Sequence, residues 1–320
     1  QAARILAEGG LVAFPTETVY GLGADASNPQ AVAALYAAKG RPAFNPLIAH
    51  TATPEAARAL GHFLPAAEKL AERFWPGPLT LIVPYGGGPV VCELARAGLS
   101  TVGLRVPSHP LAHDLLAAFG GAVVAPSANR SGRVSPTTAA HVMEDLAGRI
   151  DAVLDGGETQ VGVESTIVDV TTPTPRLLRP GGVTREEIEA VLGAPLAVGN
   201  PDAERPTAPG QLSSHYAPRA RVLLNIDAVP PGAALLTFAG ARPPGSEAAG
   251  TVLDLSPSGD LTEAAAHLYG ALRRLDATGA PVICVVPLPP EGLGEAIADR
   301  LSRAAAPRPE GLIAPDGTDA

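Results

Sequence analysis

The sequence is poor in cysteine and has no long apolar run. Its two cysteines, Cys92 and Cys284, lie far apart and outside any Cys-x-x-Cys or Cys/His cluster, so we expect reduced thiols and no structural zinc site. No segment approaches the roughly 20 consecutive apolar residues that span a membrane, and the first residues lack the basic and apolar pattern of a signal peptide. These absences predict a cytoplasmic protein with no membrane segment and no resident metal.

Three widespread motifs are also missing from the sequence. The chain contains no GxxxxGK[ST] loop, no GxGxxG turn that opens a helix and no GxSxG nucleophile elbow. A nucleotide, if one binds, must therefore be held by dispersed Lys, Arg, Ser, Thr and Asn side chains. The acids Glu17, Glu158 and Glu164 show no spacing that predicts a catalytic carboxylate pair.

Lysine is scarce, and acidic residues outnumber basic ones. The formal net charge of -9 argues against a protein whose whole surface binds nucleic acid, although it leaves room for a local basic cleft. Of the 23 lysine and arginine residues, all but Lys39 and Lys69 are arginine. In such a chain Lys39 is a mild indication of a site that needs a compact ammonium group, with chance as the alternative.

The length of 320 residues and the apolar content of 46% suffice for two domains, each with its own core. Strand and helix patterns intermix without strict alternation over residues 1–192, which predicts an α/β domain built on a mixed sheet. Residues 193–219 contain several prolines and glycines without periodicity, so we predict an irregular linker there. Residues 220–320 predict a small, Rossmann-like α/β domain that ends in a frayed tail.

The individual elements are predicted from apolar periodicity, capping residues and Gly/Pro breaks. In the first domain, strands are expected at residues 11–14, 47–49, 79–83, 101–105, 122–125, 152–154, 165–169 and 176–178. Helices are expected there at residues 2–8, 29–39, 54–60, 65–74, 110–119, 137–146 and 185–192, the last opened by a Thr184/Glu187 capping box. In the second domain, strands are expected at residues 222–225, 234–238, 252–255 and 282–286, and helices at 261–275 and 293–305.

Residues 15–51 carry a dense run of polar side chains on loops between apolar segments, which is the placement expected of a binding site. Lys39 and Arg41 follow the end of a predicted helix, and two cations separated by one residue suit an anionic ligand such as a phosphate. The alternative is that they offset the negative end of the helix dipole and are otherwise solvated. Thr18 and His50 have plain alternatives too, as a turn-stabilising and a surface or capped side chain.

Further polar residues stand where predicted strands end. Ser127 and Asn129 follow the strand at 122–125, and ligands of α/β sheets bind at the carboxyl ends of strands. Ordinary turn chemistry is the alternative for this pair. Arg105 and Arg179 each end an apolar strand directly before a proline. They would suit a carboxylate or phosphate if they face a common cleft, and the alternative is a salt bridge at its rim.

Seven segments, in this order, resemble the YrdC-like catalytic domain of threonylcarbamoyl-AMP synthases. They read PTETVYGLGADA, KGRPAFNPLIAH, FWPGPLTLIV, STVGLRVPSHP, APSANRSGRVSPT, VESTIVD and LLRPGG. The resemblance covers residues 1–192, and the Lys-x-Arg and Ser-x-Asn pairs of the family stand here as Lys39/Arg41 and Ser127/Asn129. The motif SSHYAP in the predicted linker, with a small domain after it, resembles the longer, two-domain form of these enzymes.

The resemblance implies both a fold and a reaction. The fold would be a twisted α/β sheet with a deep, positively charged, concave cavity. L-Threonine, bicarbonate (or CO2) and ATP would give threonylcarbamoyl-adenylate and pyrophosphate, with Mg²⁺ accompanying ATP. The product would supply the threonylcarbamoyl group of a modified adenosine in certain tRNAs through partner proteins, and direct contact with tRNA stays open. Such a displacement needs aligned substrates and charge neutralisation but no protein nucleophile.

The resemblance also implies roles for residues that match the motifs of the family. Threonine binding is assigned to Thr18, His50, Arg105, Ala125 and Ser165. ATP binding is assigned to Arg41, Asn45, Thr101, Ser127, Asn129, Ser135, Arg179 and, from the linker, Tyr216. Lys39 and Arg41 would act in catalysis by neutralising charge on the phosphates. We further hypothesise that the linker carrying Tyr216 closes over the cavity as a lid.

Two other functions stay open at this point. The first is that of a carbamoyl-transfer relative, because YrdC-like domains also occur in hydrogenase-maturation carbamoyltransferases, whose zinc-finger-like and acylphosphatase-like modules this sequence lacks. The second is a double-stranded RNA- or tRNA-binding module that uses the basic cavity for backbone contacts, and the acidic net charge counts against it. Pyrophosphate release that depends on both threonine and bicarbonate distinguishes the synthase from the binding module.

Overall fold

Two β-sheets organise the computed structural model, which describes residues 1–88, 90–198, 207–210 and 215–307. Within this part of the chain, ten strands form one sheet and four strands form the other. The first sheet contains both parallel and antiparallel pairs, and the second contains parallel pairs. The predicted fold class, a mixed α/β sheet with a smaller Rossmann-like unit, is confirmed.

The strands of the large sheet run in both directions. In chain order they are β1 (Val12–Phe14), β2 (Gly21–Asp25), β3 (Ile48–His50), β4 (Leu79–Pro84), β5 (Thr101–Arg105), β6 (Val123–Val124), β7 (Ala152–Val153), β8 (Thr166–Asp169), β9 (Arg176–Arg179) and β10 (Ala197–Val198). Across the sheet their order is β10-β9-β8-β4-β5-β3-β6-β2-β1-β7. β3 and β5 are parallel, whereas β3 and β6 are antiparallel. The central strands are apolar and buried, as expected where helices and loops cover both faces.

Several helices of the first unit begin or end at residues that favour such positions. They are α1 (Ala2–Ala7), α2 (Pro29–Lys39), α3 (Pro54–Arg58), α4 (Pro65–Phe74), α5 (Pro110–Phe119), α6 (Ala139–Leu146) and α7 (Arg185–Leu192). Asn28 accepts hydrogen bonds from two backbone amides at the start of α2, and Gly40 ends that helix in the left-handed conformation. The predicted capping box of α7, between Thr184 and Glu187, is present.

The small sheet and its helices form the second unit. Its strands are β11 (Arg221–Leu224), β12 (Ala234–Thr237), β13 (Thr251–Asp254) and β14 (Val282–Val285), in the order β11-β14-β12-β13. Its helices are α8 (Leu261–Ala277) and α9 (Leu293–Ala305), and a 3₁₀ turn lies at Ser246–Ala248. Asp260 caps α8 by accepting from the backbone amides of Thr262 and Glu263.

The apolar core of the second unit extends into the first. Side chains of the small sheet and of α8, such as Leu236 and Leu268, belong to the same buried cluster as Val19, Val134 and Val163 from the first unit. The two units are therefore packed against each other through apolar side chains, in addition to being joined by the chain.

Two strands lie where the sequence predicts irregular structure. β2 occupies the loop expected after β1, although its GLGAD sequence contains no β-branched residue. Its glycine at position 23 permits close packing, because a Cβ there would lie 2.9 Å from the Phe14 ring and 3.0 Å from Val123. β10 lies within the predicted linker and pairs in parallel with β9. β2 pairs with β1 and with the remote strand β6, and β10 pairs with β9; local propensity does not report such partners.

The predicted linker is described in part. Residues 199–206, 211–214 and 308–320 lie outside the described residues. The two serines of the SSHYAP motif and the predicted frayed tail are therefore not described. Tyr216 and the residues around it are described, and they contribute to the site below. The domain boundaries at 192 and 219 stay predictions.

Candidate active site

A cavity lies where strands of the large sheet end against described residues of the linker. It contains about 570 Å³ of empty space, part of which is open to solvent. The lining residues are Thr16, Thr18, Val19, Gly21, Arg41, Ile48, His50, Arg105, Ala125, Pro126, Ser127, Glu164, Ser165, Arg179, Pro209, Gly210, His215 and Tyr216. Segments that are far apart in the sequence therefore share one polar, partly enclosed space.

Most of the predicted site residues line this cavity. They are Thr18, Arg41, His50, Arg105, Ala125, Ser127, Ser165, Arg179 and Tyr216. Strand register explains part of this convergence, because His50 and Arg105 are direct partners at the ends of the parallel strands β3 and β5. Parallel neighbours end at the same edge of a sheet, so side chains at their carboxyl ends meet there.

The other predicted residues do not line the cavity, but each is linked to a residue that does. They are Lys39, Asn45, Thr101, Asn129 and Ser135. Thr101 lines a smaller adjoining pocket that shares Pro209 with the cavity. Ser135 donates a hydrogen bond to the cavity residue Glu164. The binding roles of all five stay predictions.

Lys39 supports the loop that carries Ser127. Its Nζ donates to the backbone carbonyl oxygens of Ser127 and Asn129, each at 2.5 Å. Burial, followed by the nearby positive charge of Arg41, lowers the pKa of Lys39 well below its usual value. A buried amine needs such acceptors, so the observed contacts account for its position. The structure places Lys39 behind the wall of the cavity, and a direct contact with phosphate stays a prediction.

Arg41 lines the cavity and also has a buried hydrogen-bond donor without a partner among the described residues. Its Nη2 donates to the carbonyl oxygen of Pro46 at 3.1 Å, whereas its buried Nε has no hydrogen-bond partner among the described residues. Burial lowers the pKa of Arg41 to about 10, so the guanidinium stays charged at neutral pH. A charged guanidinium that lines a cavity can bind an oxyanion there.

A buried ion pair orients Arg105. Its Nη2 donates to Glu17 Oε1 at 2.6 Å and to Thr18 Oγ1 at 3.0 Å. The other oxygen of Glu17 accepts from the backbone amide of Ser108 at 3.1 Å. Nη1 of Arg105 makes no hydrogen bond to the described residues, so it remains available to a ligand. A guanidinium held in this way can bind a carboxylate without having to be ordered first.

His50 lies beside Arg105 as a neutral imidazole. Burial, together with the charge of Arg105, lowers the pKa of His50 to about 3. Its Nδ1 lies 3.1 Å from the carbonyl oxygen of Ile48, and a carbonyl only accepts, so Nδ1 carries the proton. Nε2 is then an acceptor. This part of the cavity therefore combines a cationic donor with a neutral acceptor.

Residues of the linker pack against Arg179. The Nε and Nη2 of Arg179 donate to the carbonyl oxygen of Ser165 at 3.1 and 2.9 Å. Gly210 has a φ of +84°, and a Cβ there would lie 2.9 Å from Cδ of Arg179 and 3.1 Å from the Tyr216 hydroxyl. Position 210 therefore requires a glycine both for its backbone conformation and for its space. The described linker residues thus form part of the cavity wall.

Three ionisable residues of the site were missed in the sequence reasoning. Glu17, Glu164 and His215 are buried at or beside the cavity. Each lies directly next to a predicted residue, and this adjacency was the available signal: they neighbour Thr18, Ser165 and Tyr216 in the sequence. The sequence shows no catalytic pairing of Glu17 or Glu164, and a site for anions favours cations, so neither carboxylate was predicted to belong to the site. In the structure both carboxylates pair with arginines.

The described residues contain neither a cluster suited to a metal ion nor a helix suited to crossing a membrane. Among them, no group of three or more His, Cys, Asp or Glu side chains could hold a metal ion. Over the same residues, no helix has both the length and the apolar character that crossing a membrane requires.

Two buried, neutral histidines should make the stability of the protein depend on pH. Burial lowers the pKa values of His50 and His215 to about 3, whereas a histidine of an unfolded chain titrates near about 6.5. Below that pH the unfolded state binds more protons than the folded state. The free energy of unfolding should therefore decrease as the pH falls from about 6.5, by about 2 kcal/mol per histidine at about pH 5.

Denaturant titrations at neutral and acidic pH measure this effect. The variant His215→Gln should lose about 2 kcal/mol of the pH dependence, because it removes one of the two titrating groups. His113→Gln is the matched control, since the His113 side chain is half exposed, and it should keep the dependence of the unmodified protein. An undiminished pH dependence in His215→Gln would show that this histidine is not buried neutral.

Comparisons with known proteins show the family of this chain. The family model Sua5_yciO_yrdC, described as "Telomere recombination", matches residues 4–181. A second model, described as "Threonylcarbamoyl-AMP synthase, C-terminal domain", matches residues 183–306. Together the two models account for most of the chain.

Individual relatives match over nearly their full length. The threonylcarbamoyl-AMP synthase of Pyrococcus abyssi is 44% identical over 95% of this chain and 92% of its own length. That of Bacillus subtilis is 43% identical, with 96% and 93% covered. The crystal structure of P. abyssi Sua5 complexed with L-threonine superimposes with a TM-score of 0.86 at 42% identity, covering 95% of this chain and 93% of that one. The chain therefore belongs to the threonylcarbamoyl-AMP synthase family of enzymes, in its two-domain form.

Proposed function

We propose that this chain condenses L-threonine, bicarbonate or CO2, and ATP to threonylcarbamoyl-adenylate and pyrophosphate. The observation that carries the proposal is that Arg41, Arg105 and Arg179 line one cavity while coming from three separate parts of the chain. Three permanent cations in a partly enclosed space suit ligands with several negative charges, such as a triphosphate together with an amino acid carboxylate. Membership of the synthase family supports the same activity.

Threonine is assigned to the part of the cavity around Arg105. The free Nη1 of Arg105 would bind the carboxylate, while Nε2 of His50 and the hydroxyl of Thr18 would receive the amine or hydroxyl group. Ala125 and Ser165, which also line the cavity, would complete the pocket. The L-threonine complex of the P. abyssi relative supports a threonine site in this family.

ATP is assigned to the part of the cavity around Arg41 and Arg179. The guanidinium of Arg41 would bind a phosphate oxygen, and Ser127 lies in the wall of the same cavity. Tyr216 would cover the nucleotide from the linker, since its buried hydroxyl has no partner among the described residues. The other residues assigned to the nucleotide and its phosphates are Lys39, Asn45, Thr101, Asn129 and Ser135.

The proposed reaction needs positioning and charge stabilisation. The amine of threonine adds to CO2 and loses a proton, which gives a carbamate. A carbamate oxygen then attacks the α-phosphorus of ATP, and pyrophosphate leaves. Arg41 and Arg179 would stabilise negative charge on the phosphate oxygens during this displacement. Closure of the cavity by Tyr216 would protect the carbamate and the adenylate from water.

Mg²⁺ is proposed as an ion that arrives with ATP. Glu164, the carboxylate that lines the cavity, already accepts hydrogen bonds from Ser135, Tyr269 and Arg300. A carboxylate engaged in this way is a poor ligand for a further cation, whereas Mg²⁺ commonly binds through substrate phosphates and water. We therefore assign no protein ligand to the ion, and the ion is left out of the steps above.

The product is a reactive mixed anhydride and would have to be consumed soon after its release. We propose that downstream proteins transfer its threonylcarbamoyl group to tRNA in the cytoplasm. The match of residues 183–306 to the C-terminal domain of the synthases favours this reaction over that of a carbamoyl-transfer relative. Membership of an enzyme family favours it over a module that only binds RNA.

Pyrophosphate release tests the proposal. The purified chain should release pyrophosphate from ATP when L-threonine and bicarbonate are both present, and omission of either should abolish the release. The mixture without threonine measures ATP hydrolysis that needs no amine, and a mixture with glycine in place of threonine tests whether the reaction requires threonine and not just any amino acid. If the complete mixture releases no pyrophosphate, or if release does not depend on threonine, the proposed function is wrong. Binding of tRNA without pyrophosphate release would favour the RNA-binding module instead.

A further inference from the structure

A cluster of buried polar side chains joins the two units of the fold directly behind the cavity. Glu164, in the first unit, accepts a hydrogen bond from Ser135 at 2.6 Å. Its other carboxylate oxygen accepts from the hydroxyl of Tyr269 on α8 and from Nε of Arg300 on α9, both at 2.8 Å. Arg300 and Tyr269 are fully buried, and the Glu164 side chain is 7% exposed. The substrate contacts proposed above do not use the two residues of the second unit.

The charge of Glu164 depends on these contacts. Burial alone would raise the pKa of Glu164, but the charges of Arg300 and Arg179 and the hydrogen bond from Ser135 hold it at about 2. Burial and the neighbouring carboxylate raise the pKa of Tyr269 well above its usual value, so its hydroxyl remains a donor. Glu164 is therefore charged, and both of its carboxylate oxygens accept hydrogen bonds from buried side chains.

The same two residues hold the ring of Tyr216. The rings of Tyr269 and Tyr216 are stacked with centroids 5.7 Å apart, and the guanidinium of Arg300 lies 5.3 Å from the centroid of the Tyr216 ring. Tyr216 has a φ of +59°, a conformation that a non-glycine residue adopts only when its surroundings impose it. Contacts from α8 and α9 thus contribute to the position of a residue that lines the cavity.

The second unit contacts the backbone of the cavity wall at two points. A Cβ at Gly162 would lie 2.3 Å from the carbonyl oxygen of Ala265 on α8, so this helix packs directly on the loop that leads to Glu164. On the other side, Nη1 of Arg300 donates to the carbonyl oxygen of Pro180 at 2.7 Å, one residue after Arg179. The loops on either side of the cluster are therefore both held by the second unit.

We propose that Tyr269 and Arg300 are positioning residues of the active site, which gives the second domain a part in the reaction. They contact Glu164, Tyr216 and the loop after Arg179. Through these contacts they hold in place the part of the cavity that is assigned to ATP, which we call its nucleotide end. A buried ion pair is a weak source of stability compared with apolar packing, so simple docking of two domains does not require one. The inference rests on the proposed function, because it concerns how that reaction is supported.

The variant Tyr269→Phe removes one hydroxyl and keeps the ring that stacks on Tyr216. We expect the KM for ATP to rise about tenfold, because the Glu164 carboxylate loses a fixed donor, while the KM for threonine keeps its wild-type value. Steady-state pyrophosphate release, measured with each substrate varied in turn, separates the two constants. Equal changes in both constants would contradict a role at the nucleotide end.

A second variant tests Arg300 without leaving a buried charge unpaired. Arg300→Met alone would leave the buried carboxylate of Glu164 without its ion-pair partner. Arg300→Met combined with Glu164→Gln removes both charges. We expect this double variant to fold and to raise the KM for ATP by more than tenfold. We also expect faster hydrogen exchange at residues 215–217, where the amide of Ala217 donates to the carbonyl oxygen of Gly132.

Glu295→Gln is the matched control for domain docking. Glu295 lies on the same helix as Arg300 and pairs with Arg185 of the first unit at 3.2 Å, away from the cluster. It should leave both KM values and the exchange at residues 215–217 unchanged. The inference is wrong if Glu295→Gln has the same effects as the double variant Arg300→Met/Glu164→Gln. It is also wrong if that double variant keeps the wild-type KM for ATP. Should the wild-type chain release no pyrophosphate, unchanged exchange in the Arg300 variant would still refute the positioning role, separately from the proposed function.

Discussion

Replacing Arg41 with methionine should lower kcat/KM for ATP by about 10²-fold or more, the scale seen when one donor to a developing oxyanion is removed. Arg41 lines the cavity, stays charged, and has a buried Nε without a partner among the described residues. Methionine fills similar space without charge, so the folded state should persist. Pyrophosphate release at varied ATP concentration measures the loss, and the circular dichroism spectrum checks the fold.

Arg130→Met is the matched control for this experiment. Arg130 is exposed, and it lies in the loop after β6 close in sequence to the cavity residue Ser127. Its removal changes the net charge by the same amount but leaves the cavity intact, so kcat/KM should stay within about twofold, as for surface substitutions away from specific contacts. A loss in Arg130→Met equal to that in Arg41→Met would mean that overall charge, and not a contact in the cavity, causes the effect.

Replacing Arg105 with methionine should raise the KM for threonine by about 10²-fold, on the scale of a lost charge-assisted contact with a carboxylate. The KM for ATP should change little, because Arg105 is assigned to the amino acid. The single substitution has a second effect, since it leaves the Glu17 carboxylate buried beside an apolar side chain. A buried charge without a partner destabilises by about 3–5 kcal/mol.

The double variant Arg105→Met/Glu17→Gln separates binding from stability. It removes both members of the ion pair, so the free energy of unfolding should return close to that of the unmodified protein. The KM for threonine should remain high, because the guanidinium is still missing. Chemical denaturation and pyrophosphate release on the same preparations measure the two quantities. Recovery of threonine use in the double variant would contradict the assigned role of Arg105.

The secondary structure could be predicted well wherever local chemistry specifies it. The bounds of α4, α5 and β5 agree with the predicted ones, because prolines open both helices and short apolar runs between breaks define the strand. β2 and β10 could not be predicted in the same way. β2 has no β-branched residue and β10 has only two residues, so local preference does not specify either one; they become strands because β1, β6 and β9 provide hydrogen-bonding partners.

Some residues of the candidate site could likewise be predicted from the sequence, and others could not. The sequence motifs indicated the residues that could meet a ligand, because Lys, Arg, Ser and His in loops at strand ends carry a chemical signal by themselves. The roles of Glu17 and Glu164 could not be predicted in this way. A carboxylate near an anion site can be explained only when its arginine partner is known. Those partners, Arg105 and Arg300, lie 88 and 136 residues away along the chain.

The sequence by itself determined the family, the class of fold and the set of polar residues around residues 15–51. It could do so because motifs and helix caps depend only on residues that are close together in the chain. Only the tertiary structure decided which cations face the cavity and which support it. Lys39 donates to the carbonyl oxygens of Ser127 and Asn129, whereas Arg41 lines the cavity. The physical reason is that each buried charge takes the partner that the packing of distant segments brings within reach.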